Sequence, residues 1–206
     1  MDKQQWIDSV LASLTGMSRT IGGVSDTTSS ADKPKLGVER EALASRSEGN
    51  LRHMLDDLWV CRDYRFISAA EVREFVDGIA EDVNTGLLSR GQSLYRTWET
   101  KFGQTPVAAI EAEYSEFCGR LFAGFSEDDS VRVAAIVEKK LDGEIHPFAD
   151  GCGRTAKVLA AFVLLRDNRT PPRYGSRTEY YGKINTEWRE WFSYYRSLCE
   201  ETPRMA

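Results

Sequence analysis

The stretch HPFADGCGRTAK, residues 146–157, brings an imidazole, a carboxylate, a thiol, two glycines and two cations into twelve positions. The chain has only two histidines in 206 residues, and His146 opens this run. Gly151 and Gly153 permit a tight turn and let backbone come close to a ligand. VLAAFVLL, residues 158–165, follows as an apolar helix. The first amides of such a helix are unpaired and its dipole is positive there, which favours an anion. Arg154 and Lys157 stand at the same end, where cations oppose the dipole unless an anion lies between them. A polyphosphate meets that need. Asp150 would repel bare phosphate, but fits once a hard cation such as Mg²⁺ bridges carboxylate and phosphate oxygens. An imidazole suits the acceptance of a proton from an attacking hydroxyl, the role open to His146. Together these parts describe attack on a metal-bound nucleotide.

Singly, each part has an ordinary explanation. A His-Pro pair commonly sits in a turn, Gly-x-Gly before a helix serves many caps, and an Arg and a Lys on a helix are usually solvated. Their joint occurrence in one short run points to chemistry. Cys152 raises a rival, because a thiol at a helix N-terminus can become a nucleophile. The phosphate cradle of phosphotyrosine phosphatases needs an arginine six residues after the cysteine, and here that residue is Val158. A structural or redox-sensitive thiol is the better reading.

The elements that must hold this run are helical. Residues 39–62 carry Leu51, Leu55, Leu58 and Trp59 on one face, with an expected break near Gly49. SAAE at 68–71 reads as a capping box before Val72, Phe75, Val76 and Ile79. Thr105-Pro106 marks another start, followed by Ile110, Tyr114, Phe117 and Leu121. A third start is expected near Ser126, before Val133, Ile136, Val137 and Leu141. LYRTWETKF, 94–102, favours extended structure and reads as a small hairpin or flap, with an irregular surface loop as the alternative. The helix at 158–165 is apolar all round, so it should run through the centre. EWREWFSYYRSL closes the chain with a packing face of Trp188, Trp191, Phe192 and Tyr195.

Composition bounds the class. With 41% apolar and 29% charged residues the chain suits a globular domain. A net charge of −5 argues against direct nucleic-acid binding. Cys61, Cys118, Cys152 and Cys199 form no CxxC pair, and no apolar run reaches membrane-spanning length. Free thiols and a cytoplasmic location are expected, with no membrane; delivery into another cell would leave no mark here. The expected organisation is an N-terminal helix and flexible linker (1–38), a helical segment (39–66), a core (67–200) and a tail (201–206).

The motif run resembles the signature of the Fic domain family, H-P-F-x-[DE]-G-N-G-R-x-x-R. The resemblance extends over about residues 41–198, with VRVAAIVEKKLDGEIHPF leading into the motif and RTEYY at 177–181 beyond it. It implies an all-α helical bundle with a central buried helix after the motif loop and a small β-hairpin flap. It also implies transfer of AMP from ATP to a Ser, Thr or Tyr hydroxyl of a target protein. Carried across by position, His146 is the general base, Asp150 holds Mg²⁺, and the Gly151-Cys152-Gly153 amides form the anion nest. Arg154 contacts phosphate, Lys157 takes the place of the terminal-phosphate arginine, and Phe148 anchors the loop. Leu94, Tyr95, Arg96 and Thr97 would align the target by strand addition.

Two residues depart from the pattern. Cys152 replaces Asn, losing a side-chain donor and acceptor, and Lys157 replaces Arg, exchanging a planar fork for a point charge. Upstream, ASRSEGN at 44–50 is similar to the family's inhibitory motif, with Ala44 where Ser or Thr would stand. In that resemblance Glu48 pairs with Lys157 and blocks the terminal phosphate. The reading is thus a Mg²⁺- and ATP-dependent protein adenylyltransferase restrained by Glu48. The alternatives are a regulatory or binding module on the same fold, or an enzyme that transfers another phosphate-containing group. A homo-oligomer is compatible with either.

Overall fold

The computed structural model describes residues 2–17, 38–88, 91–100, 102–127 and 129–202, with backbone only for 15–17, 38–44 and 127. Most of the expected linker and the tail beyond 202 lie outside the described residues. The α-helices are α1 (Lys3–Met17), α2 (Val38–Val60), α3 (Ala69–Asn84), α4 (Ile110–Glu127), α5 (Ser130–Glu138), α6 (Cys152–Leu165), α7 (Arg177–Ile184) and α8 (Trp188–Glu201). No helix among the described residues is long and apolar enough to cross a membrane.

α6 is the axis of the bundle. Val158, Leu159, Phe162 and Leu164 are all 0% exposed, as expected for a helix apolar on every side. Each such burial contributes about 1.5–3 kcal/mol. α5 packs along α6, and α3, α1 and α2 also touch it. The expected N-terminal helix is α1. It is part of the core: Trp6, Ile7, Val10 and Leu14 are buried, and Ser13 Oγ donates to the Pro172 carbonyl at 2.8 Å.

α2 runs unbroken through Gly49, with Leu51, Leu55 and Leu58 buried. A lone glycine weakens a helix by about 1 kcal/mol, which tertiary burial of those leucines offsets. Ser68 Oγ accepts from Glu71 N–H at 3.2 Å, while Glu71 Oε2 accepts from Ile67 N–H at 2.7 Å, one residue before the cap itself. The helix expected to start near Ser126 starts at Ser130, because Asp129 supplies the cap to Val131 N–H at 3.0 Å.

α5 does not simply end. It widens into a π-helical turn, Lys139–Glu144, closed by Ile145 N–H to the Lys140 carbonyl at 2.7 Å. Such turns insert a residue into the helical register and re-aim the chain beyond them. The segment re-aimed here is the motif loop.

Candidate active site

The loop from Ile145 to Gly151 joins the π-turn to α6. His146 has φ 47°, a left-handed backbone that a residue with a Cβ adopts at a cost of about 1–3 kcal/mol. Arg96 holds it there. Its buried guanidinium donates to the carbonyls of His146 (2.6 Å), Trp98 (2.8 Å), Ile145 (3.2 Å) and Thr105. Its backbone N–H donates to the Pro147 carbonyl at 3.0 Å, and Ala149 N–H donates to the Leu94 carbonyl at 2.7 Å. Tyr95 and Phe148 thereby form an isolated antiparallel bridge.

That pairing corrects the expected hairpin. Among the described residues, 94–97 folds back on the motif loop and forms no hairpin of its own. Arg96 is sequestered beneath the loop, Leu94 and Tyr95 are half-buried, and only Thr97 of the four is exposed. Phe148 is 1% exposed, packed between the rings of Tyr95 (5.9 Å) and Tyr114 (5.7 Å).

The His146 ring is 17% exposed and stacks on Phe102 with centroids 6.0 Å apart. Its Nδ1 lies 3.1 Å from the Asp142 carbonyl oxygen. A carbonyl only accepts, so Nδ1 carries a proton, and in the neutral ring Nε2 is the nitrogen with the lone pair. At the other end of the loop Gly151 takes φ 75°, and a Cβ there would come within 2.7 Å of Asn84 Oδ1. Both constraints select glycine. No side chain caps α6 at this turn, so its first amides lack a side-chain acceptor there.

Asp150 accepts from Gly151 N–H at 2.7 Å and from Arg154 Nη2 at 3.1 Å. Arg154 also donates to Asn84 Oδ1 (3.2 Å) and Ser47 Oγ (2.9 Å), while Asn84 Nδ2 holds the Asp150 carbonyl at 3.0 Å. Asn84 and Ser47, both buried, were not singled out in the sequence. Nothing in the pattern around them marks them, since each acts through a contact with a distant segment.

Cys152 is buried at 2%. Its Sγ accepts from Phe148 N–H at 3.3 Å and donates to the Phe148 carbonyl at 3.4 Å, tying the loop to the helix. Burial pushes its thiol well above the usual range. It is a structural residue, not a nucleophile.

Lys157 departs most from expectation. It is 6% exposed, with Nζ 3.6 Å from Glu138 Oε2 and 3.6 Å from Asp142 Oδ2. The ammonium also lies 3.6 Å from the Tyr180 ring centroid. The Tyr174 hydroxyl donates to Glu138, and the single Tyr180 hydroxyl proton is shared between Glu138 Oε2 at 2.9 Å and Asp142 Oδ2 at 3.1 Å. Burial pushes the Glu138 carboxyl upward, against the pull of Lys157. Glu48 does not reach this cluster. It is exposed and paired to Arg52 one turn along α2, at 3.1 Å. The expected Glu48–Lys157 lock is therefore replaced by a Ser47–Arg154 contact and a buried Lys157 cluster. The i, i+4 series Glu138, Asp142, His146 was available in the sequence as the signal for that cluster.

Among the described residues no three His, Cys, Asp or Glu side chains gather as a metal cage. A cleft of about 740 Å³ between α4, α5 and Trp188 borders this loop through Glu144 and Ile145, without His146 in its lining.

No family sequence model matches the chain, and no curated protein matches it by sequence. Solved structures do match. IbpAFic2 in complex with adenylylated Cdc42 aligns over 98% of this chain and 64% of that one, at 14% identity and TM-score 0.67. IbpAFic2 covalently tethered to Cdc42 aligns over 98% and 64%, at 16% identity and TM-score 0.64. A Fic-domain-containing signaling protein from Bacteroides thetaiotaomicron aligns over 96% and 85%, at 14% identity and TM-score 0.65. The chain spans 64% of the IbpAFic2 chains, a little under two-thirds of their length. An all-α bundle centred on a buried helix, with His146, Asp150 and Arg154 around the turn that opens it, has the fold of Fic domains.

Proposed function

We propose that the chain is a protein adenylyltransferase that moves AMP from ATP onto a hydroxyl side chain of a target protein. The observation that carries this reading is the 3.1 Å contact of His146 Nδ1 with the Asp142 carbonyl, which makes Nδ1 the donor of the neutral ring and leaves Nε2 as a proton acceptor. In the reaction the target hydroxyl gives its proton to Nε2. The oxygen's electron pair forms the bond to the α-phosphorus, and the bond from that phosphorus to pyrophosphate breaks with its electrons leaving on pyrophosphate. The α6 amides and Arg154 bind the phosphates.

Asp150 is the residue that would hold Mg²⁺. It offers a carboxylate at the rim of the turn, 17% exposed, and one carboxylate plus phosphate oxygens is a usual Mg²⁺ set. The ion would supply charge neutralisation at the phosphates. A macromolecular target fits the neighbours solved with Cdc42, and Thr97 is the exposed residue of 94–97 that such a target would meet.

One observation favours a second reading. The sealed Lys157 leaves Arg154 as the motif cation nearest solvent, which suits a donor other than ATP or a binding module. The test is incubation of the full chain with Mg²⁺ and α-labelled ATP, alone and with cell lysate, beside His146→Ala. Label on protein that vanishes with His146→Ala supports AMP transfer. No label, with other nucleotide donors also silent, sinks it.

A further inference from the structure

Asp142 is 1% exposed, and its Oδ1 is buried with no hydrogen-bond partner. A buried carboxylate oxygen left unpaired is costly unless it serves something. Its near neighbour is His146: Nδ1 lies 4.0 Å from Oδ1 and 3.1 Å from the Asp142 carbonyl. The other oxygen, Oδ2, is fixed by the Tyr180 hydroxyl at 3.1 Å and Lys157 at 3.6 Å. Gly153 makes room, since a Cβ there would stand 3.1 Å from Oδ2. The carboxylate thus has one edge tied to donors and the other turned to the imidazole.

We propose that Asp142 is the positioning residue of His146: it holds the ring with Nδ1–H inward and Nε2 outward, and faces the charge the ring gains. This rests on His146 being the proton acceptor of the proposed transfer. Among the described residues, the other charged and titratable groups facing the ring are Arg96, bonded to the His146 carbonyl, Lys157, Glu138 and Tyr180, which reach it through Asp142, and Tyr181, whose hydroxyl also interacts with the Asp142 carboxylate.

An asparagine at 142 tests the idea sharply. Tyr180 and Lys157 both donate, so the amide oxygen would take the Oδ2 place and the amide NH₂ the Oδ1 place. That sets one donor against another at Nδ1–H. With only His53 and His146 in the chain, ring-nitrogen NMR of the full-length protein resolves both. The wild type is expected to show His146 as the Nδ1–H tautomer alone. Asp142→Asn should turn it into a mixture with Nε2–H, while Glu138→Gln should leave it unchanged. In AMP transfer, Asp142→Asn should lower kcat about 10- to 100-fold with KM for ATP unchanged. A mixed tautomer in the wild type, or a single one retained in Asp142→Asn, overturns the proposal. Should Asp142→Asn not fold, Asp142→Ala is read by transfer alone: it removes the carboxylate without adding a donor, so kcat should fall with KM for ATP unchanged, and an unchanged kcat overturns the proposal. A wild type without AMP transfer, but with the tautomer result intact, would remove the proposed function and leave the Asp142–His146 coupling standing.

Discussion

Ser47 Oγ accepts a hydrogen bond from Arg154 Nη1 at 2.9 Å, joining α2 to the first turn of α6 across 107 residues of chain. Arg46 and Asn50 flank it, donating to the carbonyls of Gly86 and Thr85, each at 2.9 Å. α2 is thereby pinned over the end of α3 and over the Arg154 guanidinium, the group proposed to meet phosphate.

Ser47→Ala should therefore loosen Arg154 while leaving its bonds to Asn84 and Asp150. The lost bond should lower stability by about 1–2 kcal/mol in urea unfolding. Mg-ATP affinity by calorimetry should rise, because Arg154 no longer has to leave α2. A fall in affinity would mean that Ser47 prearranges Arg154 for the phosphate instead of restraining it. Glu48→Gly should cost about 1 kcal/mol as a helix-interior glycine and leave ATP affinity unchanged, since among the described residues Glu48 pairs with Arg52 and not with Lys157.

Lys157→Met should act on stability before it acts on nucleotide binding. It would leave Glu138 and Asp142 facing one another without their cation, both of them about 1% exposed. Breaking a buried ion pair from one side costs about 3–5 kcal/mol. The urea midpoint should fall accordingly. An unchanged midpoint would show that Lys157 spends its time outside the cluster, free to meet a phosphate.

The sequence made the bundle and the loop legible for physical reasons that are local. Residues 158–165 are apolar on every face, so α6 had to be central, and Gly151 had to turn. What it could not make legible were contacts between segments far apart. The π-turn at Lys139–Glu144 shifts the register, so Lys157 meets the carboxylates of the preceding helix and not Glu48. Arg96 read as part of an exposed flap because its neighbours Tyr95 and Thr97 favour extended backbone. Its burial depends on four carbonyls, from residues 98, 105, 145 and 146, that only the fold brings together.

Cys152 gives a prediction about reactivity and pH. The thiolate is the reactive form, and burial holds this thiol well above its ordinary 9.0. Alkylation of the native protein at mildly alkaline pH should label the half-exposed Cys61 and spare Cys152 until the chain unfolds, as peptide mass spectrometry would read. The native state keeps the Cys152 proton longer than the unfolded chain does. Its contribution to stability is thus full below pH 9.0 and is lost as pH rises beyond it. Rapid labelling of native Cys152 would place it in solvent and return the nucleophile reading.

Gly103 gives the most local test of the base. A Cβ built there would stand 2.6 Å from the His146 Cβ, 3.2 Å from the Glu144 carbonyl oxygen and 3.3 Å from that of Ile145. Neither carbonyl can yield easily, because Gln104 N–H and Thr105 N–H both bond the first and Arg96 the second. The movable partner is His146, already in a left-handed backbone and stacked on Phe102 next to Gly103. Gly103→Ala should therefore cost about 1–3 kcal/mol by overpacking. It should also push the imidazole off its bond to the Asp142 carbonyl, which in the proposed reaction lowers kcat for transfer, while nucleotide affinity, proposed to rest on Asp150 and Arg154, should be kept. Serine should behave like alanine, because the clash begins at the Cβ. A Gly103→Ala protein of full activity would mean that the loop carrying His146 is free to shift, and that Arg96 does not fix the base as its four carbonyl bonds indicate.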